Sequence, residues 1–441
     1  MWDVEELFVL SDLHFAAERD VGLFRADAEL ADCLRWILTE ARDSVTVLAG
    51  DVLDFLVVHD GQSKTSFETL GERTRGILEH HEEIFEALAG LVRSPRHRLV
   101  IMGGNHDPEL IFPSVQEAVE RRLGLDGVSS PVRWLVQGEA LRVRVGGAVV
   151  LVEHGNVLDP WNRINYAALQ SALSLASRNL SNVSDYKPPP GSRLVLEVAN
   201  ELRSSYRWID CLKPETEAVL PLLWYFASLK QKTLLSYLAD DYLNMKAVAL
   251  VQKTGNWHSP DRLYKGEHEV ENTPADRGFK EWVDVINEKQ RRTLAPSARD
   301  HRLVEKLRSV SARDTFFEVE EPDGSAAYLR PVFEGGADLI IHGHTHSAKA
   351  CVVEGGFYIN TGTWGQLIRL PKSYEGDEAW EKFLDLLETN EVGSFCRPTF
   401  AHVRRAQGRE ETEAALLEWR RGGPHVLSSR KFSNHQTGWR P

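Results

Sequence analysis

Val45-Thr46-Val47-Leu48-Ala49-Gly50-Asp51-Val52-Leu53-Asp54 is the stretch on which the reading of this chain turns. A short aliphatic, β-branched run predicts a strand, a glycine ends it, and two carboxylates follow at once. An apolar run followed by a cluster rich in Asp, His or Asn returns four times. The apolar run 7–10 leads into Ser11-Asp12-Leu13-His14, and 99–102 leads into Gly104-Asn105-His106-Asp107. Residues 148–152 precede His154-Gly155-Asn156, and 337–341 precede Gly343-His344-Thr345-His346. Ligands usually sit where strands end at one edge of an open α/β sheet, and there residues far apart in sequence converge.

Working outward, residues 25–41 and 66–91 carry apolar positions at helical spacing between those strands. Further β-type runs lie at 132–136, 141–145, 351–353, 357–359 and 399–403, and residues 411–420 read as a final helix. Strands alternating with helices predict an α/β layered domain. Residues 156–330 differ. They hold long helical runs at 163–180, 215–251 and 280–310, with a Pro188-Pro189-Pro190-Gly191 breaker among them. This segment has 24 basic and 24 acidic residues, so the whole net charge of −13 sits on the remainder. The expected organisation is a core from 1–155 and 331–425, a helical insertion at 156–330 and a tail at 426–441.

Composition excludes several classes. With 441 residues, 42% hydrophobic and 27% charged, the chain can bury a core without disulfides, and it is neither disordered nor collagen-like. An acidic balance argues against wholesale binding to nucleic acid or anionic membranes. The longest apolar run, 218–229, has 12 residues, short of the roughly 20 that a membrane span needs. Four cysteines without CxxC spacing suggest neither a zinc ribbon nor a disulfide framework. With an acidic N-terminus, this points to a cytoplasmic protein without integral membrane association.

The residue types at the five strand ends decide what could bind there. Asp, His and an Asn carbonyl are hard-to-borderline ligands, suited to Mn2+, Fe or Zn2+. Asp12 and His14, like His344 and His346, occupy alternate positions, which on an extended segment point to one side. Such pairs reach one metal, or two metals about 3.5–4 Å apart. Each cluster alone is a weak signal, whereas five in order, each after a strand, are not.

Together these motifs resemble the five-motif pattern of the calcineurin-like metallophosphoesterases, over roughly residues 7–155 and 336–403. The resemblance implies a four-layer αββα sandwich of two mixed sheets flanked by helices, with two divalent metals, Mn2+ first among the choices. It implies that Asp12, His14 and His346 hold one metal and Asn105, His154 and His344 the other, with Asp51 bridging. His106 would assist the leaving group, Asp107 would orient His106, and Asp54 would support the site. The implied activity is hydrolysis of a phosphodiester or pyrophosphate-type small molecule by metal-activated hydroxide.

Several branches of that family insert a helical cap between the fourth and fifth motifs, as the UDP-2,3-diacylglucosamine hydrolases do. Those enzymes have Arg where this chain has His106, and His-Gly-Asp where it has His154-Gly155-Asn156, which counts against their lipid substrate. A nuclease of the same family, supported only by local clusters such as Lys289-Gln290-Arg291-Arg292, ranks lower. A non-catalytic scaffold that keeps the fold is the rival from another class, disfavoured because every metal ligand is retained. Arg163 is a candidate phosphate-binding residue, or else a brace at the insertion's entrance. The apolar run Leu220-Pro221-Leu222-Leu223-Trp224-Tyr225 with Phe226 reads as the insertion's core or a groove. Residues 358–364 read as a strand and turn packed beneath the site.

Overall fold

The computed structural model describes the chain apart from residues 18–21, 58–66, 126–129, 179–185, 204, 220, 223, 224, 226–295, 407–410 and 433–441. Its first part runs β1 (Trp2–Val4), β2 (Glu6–Leu10), α1 (Asp27–Glu40), β3 (Ser44–Ala49), α2 (Phe67–His80), α3 (Glu82–Arg93), β4 (His97–Met102) and α4 (Pro113–Arg122). β5 (Val132–Leu135), β6 (Leu141–Val145), β7 (Ala148–Val152) and α5 (Tyr166–Ala176) follow. Later strands are β8 (Leu212–Lys213), β9 (Leu339–His342), β10 (Lys349–Val353), β11 (Gly356–Asn360), β12 (Gln366–Arg369), β13 (Phe395–Cys396), β14 (Thr399–Arg405), β15 (Thr412–Arg420) and β16 (Gly423–Phe432).

Two large mixed sheets result, ordered β16-β15-β14-β2-β3-β4-β5 and β1-β6-β7-β9-β11-β10. Side-chain alternation explains how they stack. Leu7 and Val9 of β2, Val45 and Val47 of β3, and Val100 of β4 share a buried cluster with Val150 and Val152 of β7 and Leu339 and Ile341 of β9. The residues between them point the other way. Phe8, Leu10, Leu99 and Ile101 pack against Leu30, Leu34, Phe85 and Leu88 of α1 and α3. On the second sheet, Leu151, Ile340 and Tyr358 pack against Phe333 and Leu329. Strands buried on both faces read as continuous apolar runs, which is why these were legible. The layers are therefore helix, sheet, sheet, helix, the four-layer sandwich.

Two stretches differ from expectation. The stretch expected as a helix at 411–420 instead forms β15, Thr412–Arg420. Ala414 and Leu416 face the inter-sheet core while Ala415, Leu417 and Trp419 face the helical layer, so a period of two wins over helix-forming composition. Residues 426–432 are not tail but the body of β16, paired antiparallel to β15.

The chain divides into two compact units, Met1–Lys187 with Glu318–Gly365 and Cys396–Pro441, and Pro188–Phe317 with Gln366–Phe395. This division falls elsewhere than the boundaries at 156 and 330. Ile164 and Leu169, with Tyr166, Leu173 and Tyr186, belong to the first unit's core. Residues 366–395 join the second unit, because β12 pairs in parallel with β8. Within that unit Arg203 makes a two-pronged bond to Asp210, at 2.6 and 2.8 Å, and Trp208 Nε1 donates to Leu387 O at 2.6 Å. Most of the apolar run at 220–226, and Lys289–Arg292, lie outside the described residues.

Candidate metal centre

The loops that leave β2, β3, β4, β7 and β9 bring together the Asp and His residues of the five motifs. The first three strands are parallel neighbours, as are β7 and β9, so their ends share an edge in each sheet. Among the described residues three ligand groups form: Asp12, His14 and His346; His14, Asp51 and His106; Asp51, His154 and His344. Within each group one donor atom per residue lies within 4.8 Å of the others. Asp51 is common to the last two groups, with Oδ2 3.9 Å from His14 Nε2 and 3.4 Å from His154 Nε2.

Backbone conformation explains the convergence. Asp12, His14, Asp51, His344 and His346 all have positive φ, between 49° and 69°. Among the described residues other than glycine, only Asn390 shares this conformation. Left-handed backbone costs on the order of 1 kcal/mol per residue, and such strain gathers where geometry serves a ligand. The alternate pairs thus face one centre through left-handed turns at both members, not as an extended segment. Cross-bonds between loops hold these turns. His14 N donates to Asp51 O at 2.9 Å, and His344 N to the Asp12 carboxylate at 2.9 and 3.0 Å. His106 N donates to Asp51 Oδ1 at 2.8 Å.

Two glycines are required by close approach. A Cβ at Gly104 would run into Asp51 Oδ1 and its backbone nitrogen, and one at Gly343 would strike Ser11 and the Asp12 carboxylate. The space these glycines leave is filled by ligand residues.

Electrostatics follow from burying like charges beside imidazoles. Burial alone would raise the Asp51 carboxyl, but His154, His106 and His14 together hold it well below the usual carboxylate range. Asp12 is likewise lowered, burial being outweighed by His346. Burial lowers His154, yet the Asp51 carboxylate outweighs it and pushes the imidazole up to about 9. A proton on His154 therefore does what a cation would do.

The donor set fits divalent metals on distances alone. Two donors about 2.1 Å from one ion at a right angle are about 3 Å apart. His14 Nε2 and His346 Nε2 are 3.0 Å apart, His346 Nε2 and Asp12 Oδ1 3.3 Å, and His154 Nε2 and Asn105 Oδ1 3.2 Å. Outer acceptors hold the other nitrogens. His14 Nδ1 is 3.3 Å from Asp54 Oδ2, and His154 Nδ1 donates to Ala49 O at 2.9 Å. His344 Nε2 lies 3.1 Å from Asp159 Oδ2, while its Nδ1 is buried with no hydrogen-bond partner.

Of the remaining expected residues, His106 stands beside His14, their rings 4.6 Å apart and nearly perpendicular. Asp107 is engaged by the backbone. Its carboxylate accepts from the backbone of Val52, Leu53 and Gly104, tying the loops after β3 and β4, and burial beside Asp51 pushes it up to about 6. Asp54 lies beside the ring, with Oδ1 3.3 Å from His106 Nδ1. Arg163 is exposed and its Nε donates to Val157 O at 2.8 Å.

The sequence singles out residues 159–163, just after His154, with Arg163 as their candidate, but gives Asp159 and Asp323 no role. Asp323 Oδ2 accepts from Thr345 Oγ1, Tyr358 OH and Asn360 Nδ2, and Asn360 Nδ2 also donates to Gly343 O at 2.7 Å. That network lies behind the Gly343–His346 loop. The one available signal was an acidic residue in a segment otherwise read as insertion. Residues 358–364 do pack beneath the site, with Thr363 Oγ1 donating to Asp12 O at 2.8 Å.

No family model matches the chain and no curated relative was found. Among solved structures it is similar to Vps29 of Entamoeba histolytica, at 10% identity and a TM-score of 0.29, over 97% of this chain and 99% of that one. A Streptococcus pneumoniae protein described as a predicted phosphoesterase matches at 9% and 0.27, over 97% of both chains. Phosphopantetheinyl hydrolase of Mycobacterium tuberculosis matches at 11% and 0.25, over 86% of this chain and 92% of that one. Scores this low carry no weight for function, which rests on the chain's own geometry.

Proposed function

We propose that this chain is a calcineurin-like metallophosphoesterase that hydrolyses a phosphodiester or pyrophosphate-type small molecule. The observation that carries the reading is Asp51, a buried carboxylate shared by a ligand group containing His14 and one containing His154 and His344. Asp12, His14 and His346 would hold one divalent ion, Asn105, His154 and His344 the second, and Asp51 both. When bound, two such ions, Mn2+ being the first choice, acidify a water and draw charge from phosphoryl oxygens.

The chain's own residues supply the rest. His106, with its side chain 20% exposed, is the reachable acid beside an otherwise buried centre. Asp54 fixes its ring through Nδ1, so Nε2 delivers the proton to the departing oxygen as the P–O bond breaks. The acidic balance of the chain favours a small substrate over a polyanion. Four free thiols support placement in the reducing cytoplasm, and among the described residues no helix is long and apolar enough to cross a membrane.

The test is turnover by metal-stripped protein reloaded with Mn2+ on bis-p-nitrophenyl phosphate and on p-nitrophenyl phosphate. Diester cleavage that disappears on chelation is expected. Two ions bound with no turnover on these or on pyrophosphate-linked substrates would refute it.

A further inference from the structure

Asp159 lies outside the five motifs, in the segment between β7 and α5. One oxygen, Oδ2, sits 3.1 Å from His344 Nε2 and accepts from Asn162 Nδ2 at 2.7 Å; the other accepts from Trp161 N at 2.9 Å. Both oxygens are thus engaged and the carboxylate is fixed in direction. An ionised carboxylate has no proton to give, so the proton in its contact with His344 belongs to Nε2. A neutral imidazole then carries its lone pair on Nδ1, the buried nitrogen with no hydrogen-bond partner. His14 and His154 are held the opposite way round, by acceptors on Nδ1.

We propose that Asp159 is a positioning residue that sets which nitrogen of His344 is offered to the second metal ion. This rests on the metal-centre reading above and deepens it, because His344 then differs from its neighbours in tautomer and depends on a residue no motif contains. Asn162, bonded to the same carboxylate, makes the loop from 156 to 165 part of that support. Arg163, bonded to Val157 O, braces the same loop.

The test is titration of the metal-free full chain with Mn2+, comparing wild type, Asp159→Ala, Asp159→Asn, His344→Ala and the Asp159→Ala/His344→Ala double variant. Asp159→Ala should weaken the second ion about 10- to 100-fold and leave the first unchanged. Asp159→Asn keeps shape and an acceptor oxygen, so a smaller loss is expected from a variant that folds. The double variant should bind no more weakly than His344→Ala alone, since Asp159 acts through that histidine. Nitrogen-15 spectra of the metal-free protein should show His344 protonated at Nε2, and a mixture of tautomers in Asp159→Ala. Unchanged second-site affinity in Asp159→Ala, or a further loss in the double variant, would overturn the proposal. Wild-type protein that binds no divalent ion would instead remove the function reading beneath it, so the two failures are distinguishable.

Discussion

Asp54 touches two histidines at once, His14 through Oδ2 and His106 through Oδ1, each at 3.3 Å. Burial opposes its ionisation, but His106 and His14 together hold it far below the usual carboxylate range, so it stays charged at any working pH. Asp54→Asn should therefore lower kcat for a diester about 10- to 100-fold while KM changes little. An unchanged kcat would remove its orienting role. Asp107→Asn is a different experiment, because that carboxylate holds backbone amides; its loss should appear first in thermal stability. The sequence allowed the ligands to be read because Asp and His recur after strands. It did not allow the roles of Asp54 and Asp107 to be fixed, since both are carboxylates two or three residues from a ligand. Only the direction each side chain takes separates them.

Elements position these residues through strained turns that neighbouring loops hold. Gly104→Ala places a methyl group against the Asp51 carboxylate, so Mn2+ binding should fall while the far-ultraviolet circular dichroism stays unchanged. Retained metal affinity would mean the loop has room to yield. Behind the Gly343–His346 loop, Asn360→Ala strips one donor from Gly343 O and from Asp323. Gly343 O keeps Thr345 N and Asp323 keeps Thr345 Oγ1 and Tyr358 OH, so two hydrogen bonds are lost, about 1–3 kcal/mol together, to be read by urea denaturation. The strands of the sandwich core were legible because β2, β3, β4, β7 and β9 are buried on both faces and read as apolar runs. β15 was not. Thr412-Glu413-Ala414-Ala415-Leu416-Leu417-Glu418 is rich in helix formers, and only pairing to β14 and β16 reveals its period. Left-handed turns at Asp12 and His344 were also hidden, because an Asp-x-His triplet reads equally well as extended chain.

Across the molecule, the buried imidazoles and carboxylates make stability depend on pH and on metal together. His154 is pushed up to about 9, so in metal-free protein its contribution is complete below its ordinary value of about 6.5 and is lost as pH rises toward 9. Asp12 and Asp51 are lowered, so theirs is complete above the ordinary carboxylate range and is lost as pH falls from that range toward their lowered values. Metal must displace the His154 proton. The rise in melting temperature given by Mn2+ should therefore grow from about pH 6.5 to about pH 8.5. A rise that is flat or shrinks over that range would contradict this charge balance. The division of the chain into its two units was the least legible feature. Composition marked residues 156–330 as different, but the pairing of β12 with β8 assigns 366–395 to the second unit across a long sequence gap.

Two divalent ions sharing Asp51 can be counted. Wild-type protein, stripped and dialysed against Mn2+, should hold two per chain by elemental analysis, and Asp51→Asn should lose both while remaining folded. One ion or none in the wild type, or two retained by Asp51→Asn, would contradict the shared centre.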